Sequence, residues 1–211
     1  MTGPATDGRP VSVLAVMAHP DDAELWAGGT LALHARDAGV AIAIPRHEPE
    51  RIAEATAGAA ILGAALHILP QPMSAQDLSA LVRQLQPEVV ITHPVTDVHP
   101  GHRHAAETVL AALPETVIAT GRPLRVYTTD TYNSLTLTGP VSAAVIVDIT
   151  ATFETKTRAL AAHNGTQPIT GHFGPMADTL ARLWGTRIGV PYGEAFTPVP
   201  VLGRLPATPR L

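Results

Sequence analysis

Short apolar runs alternate along this chain with longer segments in which apolar residues recur at helical spacing. The runs are too short for membrane spans, are bounded by turn residues, and predict buried strands. The six predicted strands are Val11–Met17, Val40–Ile44, Leu66–Leu69, Glu88–Thr92, Arg125–Thr129 and Ala143–Ile149. The predicted helices are Glu24–Arg36, Glu48–Leu62, Ser74–Gln84, Gly101–Leu113 and Phe153–Ala162. This alternation favours an α/β fold with a mostly parallel sheet and helices on both faces.

The pattern changes after Asn164, where glycine and proline multiply and only Met176–Trp184 keeps helical spacing. No repeat or linker marks a second domain. We therefore expect one Rossmann-like domain with a flexible leader over residues 1–10 and a core over residues 11–170. Residues 171–211 are expected to form a loop-rich extension of the same domain, lying over or beside a functional site.

Composition narrows the class of protein. The chain has 211 residues, 45% hydrophobic and 15% charged, which suffices for one sizeable core. It has no cysteine, so disulfides and thiolate zinc sites are excluded, and its net charge of −4 gives no basic footprint for nucleic acid. No signal peptide or membrane span is indicated. We expect a cytoplasmic protein with a small-molecule partner, and a homo-oligomer stays open.

Two motifs with ionisable side chains stand where predicted strands run into predicted helices. The first, AHPDD at Ala18–Asp22, follows the first strand. Pro20 fixes one backbone angle, and the acidic residues fall in the first helical turn, where the helix dipole favours them. Such a turn directs His19 and Asp22 toward a common point. Asp21, between them, can stay off a metal and close to a reacting water.

The second motif, HPGH at His99–His102, follows the fourth predicted strand. Either histidine, added to His19 and Asp22, completes a set of two imidazoles and one carboxylate. Catalytic zinc sites have three protein ligands and one open position, which matches this count. A lone His-Pro turn or a pair of capping aspartates would be unremarkable, but two such motifs at matching strand ends indicate a metal site. Spacing alone does not say which histidine binds the metal.

With these motifs the chain resembles the PIG-L/LmbE family of zinc-dependent deacetylases, also described as GlcNAc-PI de-N-acetylase-like. The hallmarks of that family are AHPDD after the first strand and a later HPxH. The similarity extends over most of residues 11–170. It includes Gly28–Ala32, Arg51–Glu54 with Leu62-Gly63, Val147–Ile149, Lys156 and Ala162–Gln167.

The resemblance implies that His19, Asp22 and His102 hold Zn²⁺, with Fe²⁺ or Co²⁺ as substitutes. It also implies that Asp21 is the general base and that His99 assists the transition state. The reaction would be hydrolysis of an N-acyl amide by water activated at the metal. A protonated His99 needs a carboxylate neighbour, and Asp97 is the nearest in sequence.

The chain departs from the family where relatives contact an amino sugar. Pro45–Glu48 replaces an Asp-Gly-Glu stretch, Leu69–Pro72 lacks the usual aspartate, and Val98 replaces an aromatic residue. Glu48 and Arg51 stay as candidate substrate-binding residues. The preferred substrate is an N-acetyl amino sugar or a related small metabolite, including a natural-product intermediate. The alternatives are an amidase for a thiol conjugate of the mycothiol type and a non-catalytic metal- or sugar-binding protein.

The sequence also gives expectations for several histidines and glycines outside the proposed ligand set. His93 and His163 are candidates to lie next to the site. We expect His104 to face away from it, because it lies two residues beyond His102 on a helix. His47 is expected at the surface or at the boundary of the core. Gly28 and Gly29 lie too deep in the first helix for a phosphate loop and are expected to permit close packing.

Overall fold

The computed structural model describes residues 10–205. The leader predicted for residues 1–10 therefore lies outside the described residues, except for Pro10. The strands are β1 (Val11–Val16), β2 (Gly39–Pro45), β3 (Ala65–Leu69), β4 (Val89–Thr92), β5 (Arg125–Thr128), β6 (Leu135–Thr136), β7 (Gly139–Pro140), β8 (Val145–Asp148) and β9 (Gly193–Val199). The helices are α1 (Asp22–His34), α2 (Pro49–Leu62), α3 (Ala75–Leu85), α4 (Pro100–Thr120), α5 (Phe153–Ala161) and α6 (Gly174–Ile188).

Seven of these strands form one sheet in the order β3-β2-β1-β4-β5-β9-β8. Strands β1 to β5 are parallel, whereas β9 runs antiparallel to both of its neighbours. One apolar cluster joins the sheet to α3 and α4, and a second joins it to α1, α2 and α5. The expected α/β fold, with a mostly parallel sheet between helices, is confirmed.

Two expectations about elements are wrong. Helix α4 was expected to end at Leu113, but it continues through Pro114 to Thr120 and ends where Gly121 adopts a positive φ of 71°. The segment after residue 170 is not loop-rich in the described part. It supplies α6, which is longer than Met176–Trp184, and strand β9 inside the sheet. The sequence GEAFTPV of β9 lacks an apolar pattern, so its strand form comes from pairing with β5 and β8.

Helix α1 is buried over most of its length, from Asp22 to Ala32. A Cβ on Gly29 would lie 2.7 Å from Ile149 Cβ, so this glycine allows the close packing that we expected. A buried ion pair is bound to the same part of the helix. Glu194 of β9 accepts hydrogen bonds from the backbone N–H groups of Gly29 (2.9 Å) and Thr30 (2.7 Å).

Lys156 of α5 completes this pair. Its Nζ lies 2.6 Å from Glu194 Oε1 and donates to the Leu25 carbonyl at 2.8 Å. Both charged side chains are at most 4% exposed. Strand β9 is therefore tied to the middle of helix α1. Within residues 10–205, no helix combines the length and the apolar character needed to cross a membrane.

Candidate metal centre

The candidate site lies where the strand order reverses between β1 and β4. These strands are neighbours, and their chain connections leave in opposite directions across the sheet. Crevices at the carboxyl ends of such strands are the usual ligand sites of open α/β sheets. The AHPDD motif follows β1 into α1, and the HPGH motif follows β4 into α4. The fold thus brings the two predicted motifs together.

Asp22 is the centre of the cluster. Its Oδ2 accepts a hydrogen bond from the His19 backbone N–H at 2.8 Å and lies 3.0 Å from His19 Nδ1. Its Oδ1 accepts from Trp26 Nε1 at 3.2 Å and lies 3.3 Å from His102 Nε2. Burial alone would raise the pKa of Asp22, but the nearby imidazoles of His102 and His93 outweigh burial and lower it. The carboxylate is therefore anionic.

One ring nitrogen of His102 contacts a carboxylate, and the other faces the cluster of potential ligands. Its Nδ1 lies 3.0 Å from Asp97 Oδ2, which fixes the ring orientation. Its Nε2 is buried and, among the described residues, makes no hydrogen bond. Burial would lower the pKa of His102, but Asp22 and Asp97 outweigh burial and raise it to about 10. A buried nitrogen held between carboxylates is a suitable position for a cation.

Two of the three histidines that neighbour His102, His93 and His99, each use a ring nitrogen as a hydrogen-bond acceptor. His93 Nε2 accepts from the Ala18 backbone N–H at 3.1 Å, and the ring stacks on His102 with centroids 3.9 Å apart. His99 Nδ1 accepts from the Gly101 backbone N–H at 3.1 Å. The proton of a neutral imidazole then lies on the opposite nitrogen. His99 therefore presents Nε2–H to its surroundings. His93 Nε2 faces the Ala18 N–H and also lies 3.2 Å from Asp22 Oδ2.

Two groups of three potential ligands have their ligand atoms within 4.8 Å of one another in the described part of the chain. One is His19, His99 and His102, and the other is Asp22, His93 and His102. The ligand set expected from the sequence analysis is His19, Asp22 and His102. It contains His102, which both groups share, together with His19 from the first group and Asp22 from the second. The acceptor roles of His93 and His99 favour that predicted set.

Asp21 lies beside the cluster and forms a salt bridge with an arginine. Arg51 of α2 donates from Nη2 to Asp21 Oδ1 at 2.8 Å, and both side chains are largely buried. Burial and the neighbouring Asp22 carboxylate raise the pKa of Asp21, while Arg51 opposes that rise. The structure thus brings Arg51 to the site. Glu48, the other candidate for substrate binding, has a side chain that is 72% exposed and lies 3.9 Å from His47 Nδ1.

The structure corrects some expectations about the residues around the cluster and agrees with others. Asp97 does not bind the His99 ring but accepts from its backbone N–H at 2.8 Å and holds His102 instead. His47 is half-buried, within the expected range of surface or boundary positions, and it also lies next to His19 with ring centroids 5.9 Å apart. His93 contacts the site as expected. His163 reaches it indirectly, through a 3.6 Å contact with Glu24.

Two aromatic residues that the sequence does not single out also border the cluster. Tyr132 stacks on His102 with centroids 5.6 Å apart, and Trp26 binds Asp22 through its indole N–H. No motif carries Tyr132, which is why the sequence gives no signal for it. His104 is exposed and lies outside the cluster, as predicted.

Residues 14–113 match the family model described as PIG-L: GlcNAc-PI de-N-acetylase. No curated protein matches the chain. The family model covers slightly less than half of the chain, which is therefore similar to this family over that region. The hallmark residues of both motifs lie inside the matched region.

Three solved structures show the same fold. N,N'-diacetylchitobiose deacetylase from Pyrococcus horikoshii is 23% identical, with a TM-score of 0.75 over 90% of this chain and 84% of that one. A conserved protein from Thermus thermophilus is 28% identical, with a TM-score of 0.76 over 90% of this chain and 96% of that one. GalB, the 4-carboxy-2-hydroxymuconate hydratase from Pseudomonas putida, is 23% identical, with a TM-score of 0.72 over 95% of this chain and 98% of that one.

Proposed function

We propose that the protein is a metal-dependent amide hydrolase, with zinc as the default ion, that removes an N-acetyl group from an amino sugar or a related small metabolite. The observation that carries the proposal is the buried Asp22–His102 pair, with Asp97 behind it and His19 beside it. The proposed ligands are His19, Asp22 and His102. Fe²⁺ or Co²⁺ would suit the same nitrogen and oxygen donors.

The ion would supply Lewis-acid chemistry for a water molecule and for the amide carbonyl. Asp97 supports this role, because a carboxylate on the second nitrogen of a ligating histidine fixes its tautomer and raises its basicity. The buried Nε2 of His102, which makes no hydrogen bond among the described residues and lies 3.3 Å from Asp22 Oδ1, is the strongest argument that the residues present fit such an ion.

Asp21 is the proposed general base. Its Oδ1 is held by Arg51, which leaves Oδ2 for the reacting water. In the proposed reaction, the water oxygen bonds to the acyl carbon while Asp21 takes a water proton. The C–N bond then breaks as Asp21 returns that proton to the leaving nitrogen. The products are the amine and the carboxylic acid, and the acid then ionises by passing the second water proton to the amine or to solvent.

His99 is proposed to stabilise the oxygen of the tetrahedral species. The Gly101 N–H on its Nδ1 supports a neutral ring with a proton on Nε2, and such a ring donates a hydrogen bond without being cationic. This refines the sequence-based hypothesis of a protonated His99 paired with Asp97. Arg51 is proposed to contact substrate in addition to Asp21, whereas Glu48 is proposed to contact only a substrate that extends out of the crevice.

The names of the similar proteins support amide hydrolysis without assigning the substrate. One of the three similar structures is a deacetylase of a diacetylated disaccharide. The family model that matches residues 14–113 is described as a de-N-acetylase. GalB, a hydratase, has the same fold, so the fold by itself does not assign the reaction. For that reason the test must measure the released products.

The purified protein, loaded with Zn²⁺ and separately with Co²⁺, should be incubated with N-acetylglucosamine, its 1-phosphate, diacetylchitobiose and a mycothiol-type thiol conjugate. We expect equal amounts of acetate and free amine from one of the amino sugars. Amine release from the thiol conjugate alone would replace the preferred substrate with the alternative. No release from any compound would contradict the proposal and favour a binding protein.

Metal content tests the ligand assignment. His102→Ala and His19→Ala should lose most of the bound ion, whereas His93→Ala and His99→Ala should keep it, because these two rings use a lone pair elsewhere. Elemental analysis after gel filtration gives the stoichiometry. Exposed His104→Ala is the matched control and should keep the ion. Loss from His99→Ala with retention by His102→Ala would exchange their roles.

A further inference from the structure

A cavity outside the candidate metal centre lies beside the β6–β7 hairpin. Its volume is about 290 Å³, close to the lower end of the range of about 300–1,000 Å³ that small-molecule sites occupy. Its walls come from residues 94–96 after β4, residues 128–129 at the end of β5, parts of residues 136–142, and residues 197 and 199 of β9. The cavity thus lies at the carboxyl ends of two parallel strands, where α/β proteins bind ligands.

The walls of this cavity are joined by hydrogen bonds. The Leu137 N–H in the hairpin donates to the Thr96 carbonyl at 2.8 Å, which fixes the hairpin to the β4–α4 loop. The Thr197 hydroxyl of β9 donates to the Ser142 carbonyl at 2.8 Å, which fixes the segment after the hairpin to the sheet. A cavity with walls held in this way is formed before a ligand enters, so little ordering is needed on binding.

The lining is uncharged and rich in hydroxyl groups. Every lining residue is a threonine, a serine, a valine or a proline, and threonine is the commonest of them. The hydroxyls of Thr96, Thr128 and Ser142 make no hydrogen bond within residues 10–205, so each can both donate and accept. Val141 and Val199 add aliphatic surface. The cavity therefore offers hydrogen-bonding groups and apolar contact without any charge.

This lining restricts the chemistry of a ligand. A charged ligand would lose hydration without meeting an opposite charge, which is unfavourable. A purely apolar ligand would leave hydroxyls of the lining without partners. A neutral sugar ring avoids both costs, because its C–H groups suit valine and proline side chains and its hydroxyls both donate and accept.

We propose that this cavity binds a neutral pyranose ring, either as a free sugar or as one residue of a glycan. None of the proposed metal ligands lines the cavity, nor does Asp21 or His99. Binding of the ring is therefore independent of the proposed amide hydrolysis.

The test is a titration of the ¹⁵N-labelled, Zn²⁺-loaded protein with the methyl glycosides of glucose, galactose and mannose, followed by amide chemical shifts. These compounds carry no amide and are not substrates for the proposed hydrolysis. With at least one of them, saturable shifts should concentrate on Thr96, Thr128 and Thr197 and not on His19 or His102. Glucose 6-phosphate, which adds a charge to the ring, should bind there roughly 10-fold or more weakly.

Variants of the lining test the location. Thr128→Phe and Ser142→Trp place bulk in the cavity and should abolish the saturable shifts. Thr128→Val removes only a hydroxyl and should weaken binding by roughly 3- to 10-fold, the usual contribution of one hydrogen bond. Thr179→Val, at an exposed position on α6, is the matched control and should bind as the parent does. Signals from the rest of the chain establish that each variant is folded.

Cellotetraose distinguishes the two sources of the ring. Affinity that rises from the methyl glucoside to the tetrasaccharide identifies a glycan, and equal affinity identifies a free sugar. Absence of saturable shifts around the cavity with all of these saccharides would overturn the proposal. Equal binding by the parent and both bulky variants would place the ligand elsewhere, and equal binding of glucose 6-phosphate would contradict a site for neutral rings.

Discussion

Asp21 and Asp22 are neighbours in sequence and differ in their surroundings. Asp22 is surrounded by imidazoles that lower its pKa, whereas Asp21 has burial and a neighbouring carboxylate that raise its pKa, opposed by Arg51. One carboxylate is therefore suited to hold a cation, and the other to take up a proton. The β1–α1 turn produces this difference by directing consecutive side chains to different groups.

Asp21→Asn and Asp22→Asn should consequently fail in different ways. Asp21→Asn should retain the metal and lose turnover by roughly 10²-fold or more, the usual contribution of a general base. Asp22→Asn should lose both, because the amide is neutral and places an N–H₂ group among imidazoles. Elemental analysis and acetate release, measured on the same preparations, separate the two outcomes. Parental turnover by Asp21→Asn would remove Asp21 from the mechanism.

At the level of single residues, the sequence predicted which side chains converge but not how each is bonded. His19, Asp22 and His102 could be grouped because each follows a strand whose carboxyl end faces the same crevice. The distinction between His99 and His102 depends on which nitrogen accepts a backbone N–H, and spacing does not contain that information. Asp97 was paired with the wrong ring for the same reason.

At the level of elements, the buried Lys156–Glu194 pair is the clearest example of a tertiary contact that holds helix α1 in place. Glu194 receives two backbone N–H groups of that helix, and Lys156 binds one of its carbonyls. Removing one charge from such a pair leaves the other buried and uncompensated, which costs far more than loss of an exposed ion pair.

Lys156→Met should therefore lower the free energy of unfolding by about 3–5 kcal/mol. Lys156→Met combined with Glu194→Gln should recover part of this loss, because glutamine still accepts from Gly29 or Thr30 without a charge. Arg182→Ala, which removes an exposed pair with Asp178, is the control and should cost less than about 1 kcal/mol. Urea denaturation measures all of them. A loss below 1 kcal/mol for Lys156→Met would show that the pair is not important for stability.

Most helices and parallel strands were predictable because their apolar residues follow the period of the element. Strand β9 was not, since Gly193, Glu194 and Pro198 lower strand propensity and the partners that impose the strand lie elsewhere in the chain. Helix α4 extends beyond the predicted end at Leu113 and contains Pro114, although proline disfavours a helix interior. In both places, tertiary contacts override local preference.

For the whole molecule, the proposed ion links two motifs that are far apart in sequence. An ion that binds only the folded chain stabilises it by about 2.7 kcal/mol at a free concentration of 100 times Kd. For a domain of this size, that corresponds to a rise in Tm of about 5–10 °C. Removal of metal with EDTA should lower Tm by this amount, and Zn²⁺ should restore it.

The matched control is His102→Ala, whose Tm should respond little to either treatment. Differential scanning calorimetry at fixed protein concentration gives the comparison. An equal response to EDTA by the parent and His102→Ala would place the ion elsewhere.

The tie between β9 and α1 also has a consequence for biosynthesis. A nascent chain that has emerged from the ribosome as far as Gln167 already contains both motifs, yet it lacks the Glu194 carboxylate that binds the middle of α1. The helix that carries Asp22 gains this partner only when β9 has been translated and has entered the sheet between β5 and β8. The metal-binding residues are thus translated before the strand that completes their supporting scaffold.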